Sequence, residues 1–194
     1  MKRSWWGAAA VAAAMGMAAP SAGAQVFTPT FMAPRVSNDV GIYYSDYGDF
    51  ALEGILRTGF SGSNVGLRVG VAEPVGEGDT FLTLGADLRS PIAVSSAPVD
   101  LAFIGGVQAL VGNGSAVGGQ GGVSLGYTFT DPGFSITPYV APRVALISAN
   151  DESDLEVLAD LGIDLSFSPN VSVRFGAGLG KPQANWGLGV SWRR

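Results

Sequence analysis

The sequence contains no cysteine and no histidine, and only one lysine lies beyond its first two dozen residues. Each absence removes a class of chemistry. Without cysteine there is no disulfide framework and no thiolate ligand or nucleophile. Such a chain can also cross an oxidising periplasm unfolded without being trapped by wrong disulfides. Without histidine a Ser-His-Asp site cannot be assembled, and zinc and similar metals lack their usual ligands. Lys181 lies in a connection between strand-like segments and is a poor partner for a Ser-Lys nucleophile. Charged residues make up 14% of the chain, against about 25% in an ordinary soluble domain. No apolar run after residue 24 reaches the ~18–20 residues that a membrane-crossing helix requires.

The N-terminus reads as a secretory leader. Lys2 and Arg3 precede an apolar, alanine-rich stretch from Trp5 to Ala19. Pro20 breaks that stretch, and Ala22-Gly23-Ala24 gives the small-x-small pattern of a signal-peptidase site. Cleavage is expected after Ala24, so that the mature chain begins at Gln25. Loss of Lys2 and Arg3 takes the formal charge from −5 to −7, which argues against nucleic acid as a partner. Residues 25–38, with Pro29 and Pro34, read as an extended lead-in or a partial plug, and residues 39–194 as one domain.

From Asp39 onward the chain follows period two. Val65, Leu67, Val69 and Val71 alternate with Gly66, Arg68 and Gly70, and Leu82, Leu84, Ala86 and Leu88 alternate with Thr83, Gly85, Asp87 and Arg89. Side chains on a strand point alternately to opposite faces, so each segment has one apolar face and one small or polar face. Ten such segments occur: Asp39–Ser45, Phe50–Phe60, Asn64–Ala72, Thr80–Arg89, Val99–Val111, Gly118–Thr130, Phe134–Ile147, Leu155–Ser168, Asn170–Gly180 and Asn185–Arg193. Gly, Asn, Asp and Pro clusters separate them. The expectation is all-β: a closed, antiparallel, up-and-down transmembrane barrel of ten strands, with eight as the alternative if Asp39–Phe60 counts as one interrupted strand.

The charges favour a membrane barrel over a soluble sandwich. Glu53, Arg57, Arg68, Asp87, Arg89, Asp100, Arg143, Glu156, Asp160, Asp164 and Arg174 all fall in the small-or-polar phase. That phase is otherwise rich in glycine and holds no lysine, as suits a crowded lumen where small residues make room for long charged ones. The eleven charges are expected to pair across the lumen, because an unpaired charge there is costly. Such a network either plugs a narrow barrel or marks a thin polar pore. Phe60, Phe129, Phe134, Phe167 and Trp192 share the apolar phase at the periplasmic strand ends, with Tyr44, Phe50 and Trp186 at the outer ends. This is the arrangement of interfacial aromatic girdles.

With the N-terminus in the periplasm, the inner turns fall at Ser61–Asn64, Pro91–Ala97, Asp131–Gly133 and Ser168–Asn170. The outer loops fall at Asp46–Asp49, Glu73–Asp79, Gly112–Val117, Ile147–Asp154 and Lys181–Ala184. The acidic residues of these loops suit either divalent-cation bridging to phosphates and cation attraction to the barrel mouth or a solvated rim, and the rim is the better reading because they match no defined calcium-binding pattern. Gly118-Gly119-Gln120-Gly121-Gly122 lacks the lysine and helix of a phosphate loop and reads as barrel wall.

The last strand, Asn185-Trp186-Gly187-Leu188-Gly189-Val190-Ser191-Trp192, reads polar-x-Gly-x-x-hydrophobic-x-aromatic. It resembles the C-terminal signal read by the outer-membrane assembly machinery, which implies Asn185, Gly187, Val190 and Trp192 as the residues recognised. The chain departs from the commonest form by ending in Arg193-Arg194. As a whole it resembles the small outer-membrane barrels of the opacity-protein and OmpA-type transmembrane class. That resemblance implies a bacterial outer-membrane location, with membrane lipid, lipopolysaccharide and the assembly machinery as partners. The expected function is non-enzymatic, structural or a narrow porin-like channel, with no cofactor and no metal. The rivals are a soluble secreted barrel binding an apolar ligand, which needs its apolar phase turned inward, and a lipid-modifying enzyme, which the missing histidine disfavours.

Overall fold

The computed structural model describes residues 27–46, 48–74, 79–94, 98–149, 152–180 and 186–193. The expected signal peptide with its cleavage site, Asn185, and the whole of the loop Lys181–Ala184 lie outside them. Among the described residues no helix is long and apolar enough to cross a membrane; every regular element is a strand. In chain order these are β1 (Asp39–Ser45), β2 (Gly48–Phe60), β3 (Ser63–Pro74), β4 (Phe81–Ile92), β5 (Asp100–Gly112), β6 (Gly114–Gly126), β7 (Phe129–Asp131), β8 (Phe134–Ala149), β9 (Glu152–Ser166), β10 (Val171–Leu179) and β11 (Trp186–Arg193).

Sequential strands pair antiparallel, β1 pairs with β11, and β6 also pairs with β8, so the sheet closes on itself. β7 adds no eleventh stave. Leu125 faces Val140, Gly126 faces Tyr139 and Phe129 faces Ile136, so β7 continues the register of β6 along the same neighbour. Two prolines explain the breaks. The amide of Tyr127 donates to the carbonyl of Pro138 at 3.2 Å, so residue 138 aims its backbone polar groups at β6. Residue 142, four positions on, aims the same way. Neither proline has an N–H to return, and the ladder with β6 lapses around both, whereas that with β9 runs unbroken from Ser135 to Ala149. The wall is a closed antiparallel barrel of ten strands.

The barrel is inside-out. Leu52, Leu56, Leu67, Val69, Val107, Val117, Leu146, Val157 and Leu188 are exposed on the outer surface, while Glu53, Arg57, Arg68, Asp87, Arg89, Arg143, Asp160 and Arg174 are buried. The aromatics read as girdles face outward at the strand ends. Phe60, Phe129, Phe134, Phe167 and Trp192 lie at the end carrying the tight turns, and Tyr44 and Trp186 at the other, their rings 5.6 Å apart. Phe50 is half-buried.

Two outer connections are shorter than the sequence reading gives. Gly112 pairs with Gly114 across a one-residue turn, and Gly114 takes a φ of 102°, open to glycine. β6 therefore begins four residues before the expected Gly118. Ala149 likewise pairs with Glu152, so the expected loop Ile147–Asp154 is largely strand. Strand pairing does not stop where side chains become polar.

Candidate functional site

The sequence reading treats residues 25–38 as lead-in or partial plug, and residues 27–34 of that segment occupy the lumen. Phe27 through Pro34 are all buried. From Asp39 at the tight-turn end, the chain runs back through the barrel to Phe27. There Phe27 packs with Ala51, Ala72, Phe81, Leu110, Ala116, Ala145, Ile147 and Leu158 near the far mouth. Pro29 and Pro34 hold the residues before them extended. Residues 27–34 carry no charged side chain.

Apart from one backbone bridge at Phe27, the wall binds this segment through side chains. Thr28 donates its hydroxyl to Glu53 (2.8 Å), and Gln108 donates to that hydroxyl in turn (3.2 Å). The amide and hydroxyl of Thr30 both donate to Asp160, at 3.0 and 2.6 Å. Backbone carbonyls of the segment accept from the wall: Pro29 from Arg68, Thr30 from Arg57, Met32 from Ser124 and Ala33 from Arg89. Phe31 stacks on Tyr43 at 4.7 Å beside Ile55, and it does so at a φ of 51°, a left-handed conformation costly for a bulky residue.

Lumen glycines make the room. A Cβ at Gly118 would stand 2.5 Å from the Phe27 ring, one at Gly187 2.6 Å from the Phe31 ring, and one at Gly126 3.0 Å from Pro34. The glycine excess of the inward phase therefore leaves space for a polypeptide as well as for arginines.

The inward charges form ion pairs between wall strands. Arg68 meets Glu53 at 3.3 Å, Arg57 meets Asp87 at 3.1 Å, and Arg143 meets Asp160 at 2.9 Å. Arg143 also donates to Gln120. Arg174 bridges two carboxylates, Asp164 at 2.9 Å through Nε and Asp39 at 2.7 Å through Nη2, and donates to the Tyr43 hydroxyl at 2.7 Å. Arg89 donates to Asn64 and to the Ala33 carbonyl.

Nine of the eleven charges read from the sequence thus lie together in the lumen. Asp100 stands apart at the tight-turn rim, where it pairs with the exposed Arg35 at 2.7 Å. Glu156 is half-buried toward the far mouth. The sequence reading omits Asp39, Tyr43 and Gln108. All three sit in the inward phase, Asp39 at the opening of its strand.

Beneath Ala33 the lumen widens into a cavity of ≈ 330 Å³ lined by Ser37, Thr128, Thr137, Asp164, Ser166 and Arg193 among others. One carboxylate oxygen of Asp164 in this cavity has no hydrogen-bond partner. Among the described residues no group of three or more acidic side chains could hold a metal ion. Of the terminal-strand residues, Gly187 is buried, Val190 half-buried and Trp192 exposed.

A closed antiparallel barrel with an apolar exterior and a charged, hydrogen-bonded interior defines the class: this is the architecture that spans a bilayer with no unsatisfied edge. No protein-family model and no curated protein matches the sequence. Among solved structures the chain is similar to one described as "KdgM porin", at 10% identity and a TM-score of 0.44, over 80% of this chain and 99% of that one.

Proposed function

We propose that the chain is an integral, non-enzymatic outer-membrane barrel whose lumen is occupied by its own N-terminal segment. The observation that carries this reading is the inversion of the wall, with large apolar side chains outward and paired charges inward. It disfavours the soluble ligand-binding rival, which needs apolar side chains inward. The lipid-modifying enzyme lacks a histidine base. Ten strands exceed the eight of the small OmpA-type barrels, so the resemblance to that class is one of plan and not of strand number. Lipid and lipopolysaccharide are the partners of the outer face. Gly187, Val190 and Trp192, with Asn185, serve as the assembly signal.

The deciding experiment is expression with the leader intact, membrane fractionation and electrophoresis with and without boiling. The protein should enter the outer-membrane fraction with its N-terminus at Gln25 and migrate faster unboiled than boiled. Recovery in the soluble periplasmic fraction, with mobility indifferent to boiling, would refute the proposal.

A further inference from the structure

We propose that residues 27–34 are a displaceable plug, and that when they leave through the mouth beside Phe27 the barrel conducts small ions. This rests on the reading of the chain as a membrane barrel and goes beyond it by assigning an activity.

Four observations carry the inference. The wall is complete without the segment: β1 is paired on both sides, by β2 and β11, and β6 by β5 and β8. No ladder bond of the barrel depends on the plug. The ion pairs also run from wall to wall, Arg57 to Asp87, Arg68 to Glu53, Arg143 to Asp160 and Arg174 to Asp39 and Asp164. The segment brings no charge of its own, so each carboxylate keeps its arginine when the segment departs, and the Asp160 oxygen held by Thr30 is left to the water that enters. Arg89 loses the Ala33 carbonyl and keeps Asn64. What remains is a lumen of paired charges, hydroxyls and glycines that water can wet, with the apolar side chains of Phe81, Leu110, Ile147 and Leu158 lining the mouth that Phe27 leaves.

The closed state, third, stores strain: Phe31 holds a φ of 51° that a free chain would relax. Fourth, the lumen already opens into the ≈ 330 Å³ cavity beneath Ala33, so the eight plug residues close only the remainder. Opposing release are Phe27, Phe31 and Met32, each packed into an apolar cluster, and these anchors set how rarely the pore opens. The route is fixed by direction. β1 holds the segment at the tight-turn end through Asp39, so the free movement is at the Phe27 end.

Single-channel recording of the full-length mature protein in planar bilayers tests this. Wild type should be closed nearly all the time. The double variant Phe27→Ser/Phe31→Ser removes two anchors and should raise the open probability at least tenfold. Adding Pro29→Cys and Gly176→Cys to that variant should silence it when oxidised, with reductant restoring the current, since a Cβ at Gly176 would stand 3.3 Å from the Pro29 Cβ in the closed barrel, close to disulfide geometry. Where the double variant fails to fold, deletion of residues 27–34 takes its place and should conduct continuously. Because inward charges are nearly balanced, selectivity between cation and anion should be weak.

The proposal falls if the loosened or deleted variant inserts with heat-modifiable mobility yet stays as silent as wild type. Equal currents from the oxidised and reduced cysteine variant would overturn it too, as would a wild type that is persistently open. A protein that shows no heat-modifiable form and does not insert would instead refute the membrane-barrel reading itself.

Discussion

Replacing Arg174 with Met should lower the unfolding free energy by about 3–5 kcal/mol, the range for breaking a buried ion pair from one side. Arg174 is buried and holds Asp164 through Nε and Asp39 through Nη1 and Nη2, at 2.9, 3.2 and 2.7 Å. It also donates to the Tyr43 hydroxyl and to Ser37. Without the guanidinium, Asp39 keeps the Ser37 hydroxyl and Arg57 at 4.0 Å. The Asp164 carboxylate oxygen that Arg174 held loses its partner, and the other has none already. Two buried carboxylates are thereby left under-compensated. Arg174→Lys should recover only part of the loss, because a single ammonium cannot span both acids as a planar fork does. The triple variant Arg174→Met/Asp39→Asn/Asp164→Asn should return most of it, because removing all three charges leaves no orphan. Denaturant unfolding in detergent, followed by the fluorescence of Trp186 and Trp192, measures each step. A single variant as stable as wild type would mean that the Arg174 cluster is hydrated and not buried.

How much of this was legible in the sequence depends on what periodicity encodes. Phase gives the face: Glu53, Arg57, Arg68, Asp87, Arg89, Arg143, Asp160, Asp164 and Arg174 all sit inward as their position in the alternation requires. Phase does not give height along the barrel axis. Asp100 and Glu156 share the inward phase and yet stand near the two rims, because only the stagger of neighbouring strands sets which inward residues meet. Asp39 illustrates the converse. It opens β1, yet its pairing with both Arg57 and Arg193 across β2 and β11 places it inside the wall.

The plug was the least legible part. Phe27, Pro29 and Phe31 alternate with Thr28 and Thr30, a period-two pattern too short, and too broken by proline, to be distinguished from a linker. The usable signal lay elsewhere, in inward glycines such as Gly118 and Gly187 that no neighbouring arginine needed. Their space is filled by Phe27 and Phe31, residues far away in sequence that no local pattern could name.

The second large effect concerns the outer face. Val69→Arg should cost about 2–4 kcal/mol in a lipid bilayer, the depth-dependent penalty for a cation at the midplane of a transmembrane barrel. Val69 lies near the middle of β3, faces outward at 54% exposure, and is flanked across the ladders by Gly54 and Leu84. No carboxylate stands in the same phase beside it: its outward neighbours along the strand are Leu67 and Val71. Val111→Arg is the contrast. Val111 is also outward, at 47% exposure, but sits one residue from the Gly112 turn, so its guanidinium can reach the headgroup region. Its cost should be about 0–1 kcal/mol. Folding into lipid vesicles across a denaturant series measures both. In a barrel standing in water, either substitution would replace an exposed valine with a hydrated cation, and both would be close to neutral. The difference between the two sites therefore depends on a depth axis that only a bilayer supplies. Equal and small effects at Val69 and Val111 would remove the membrane from the description of this wall, whereas a deficit confined to Val69 would place the middle of β3 in hydrocarbon.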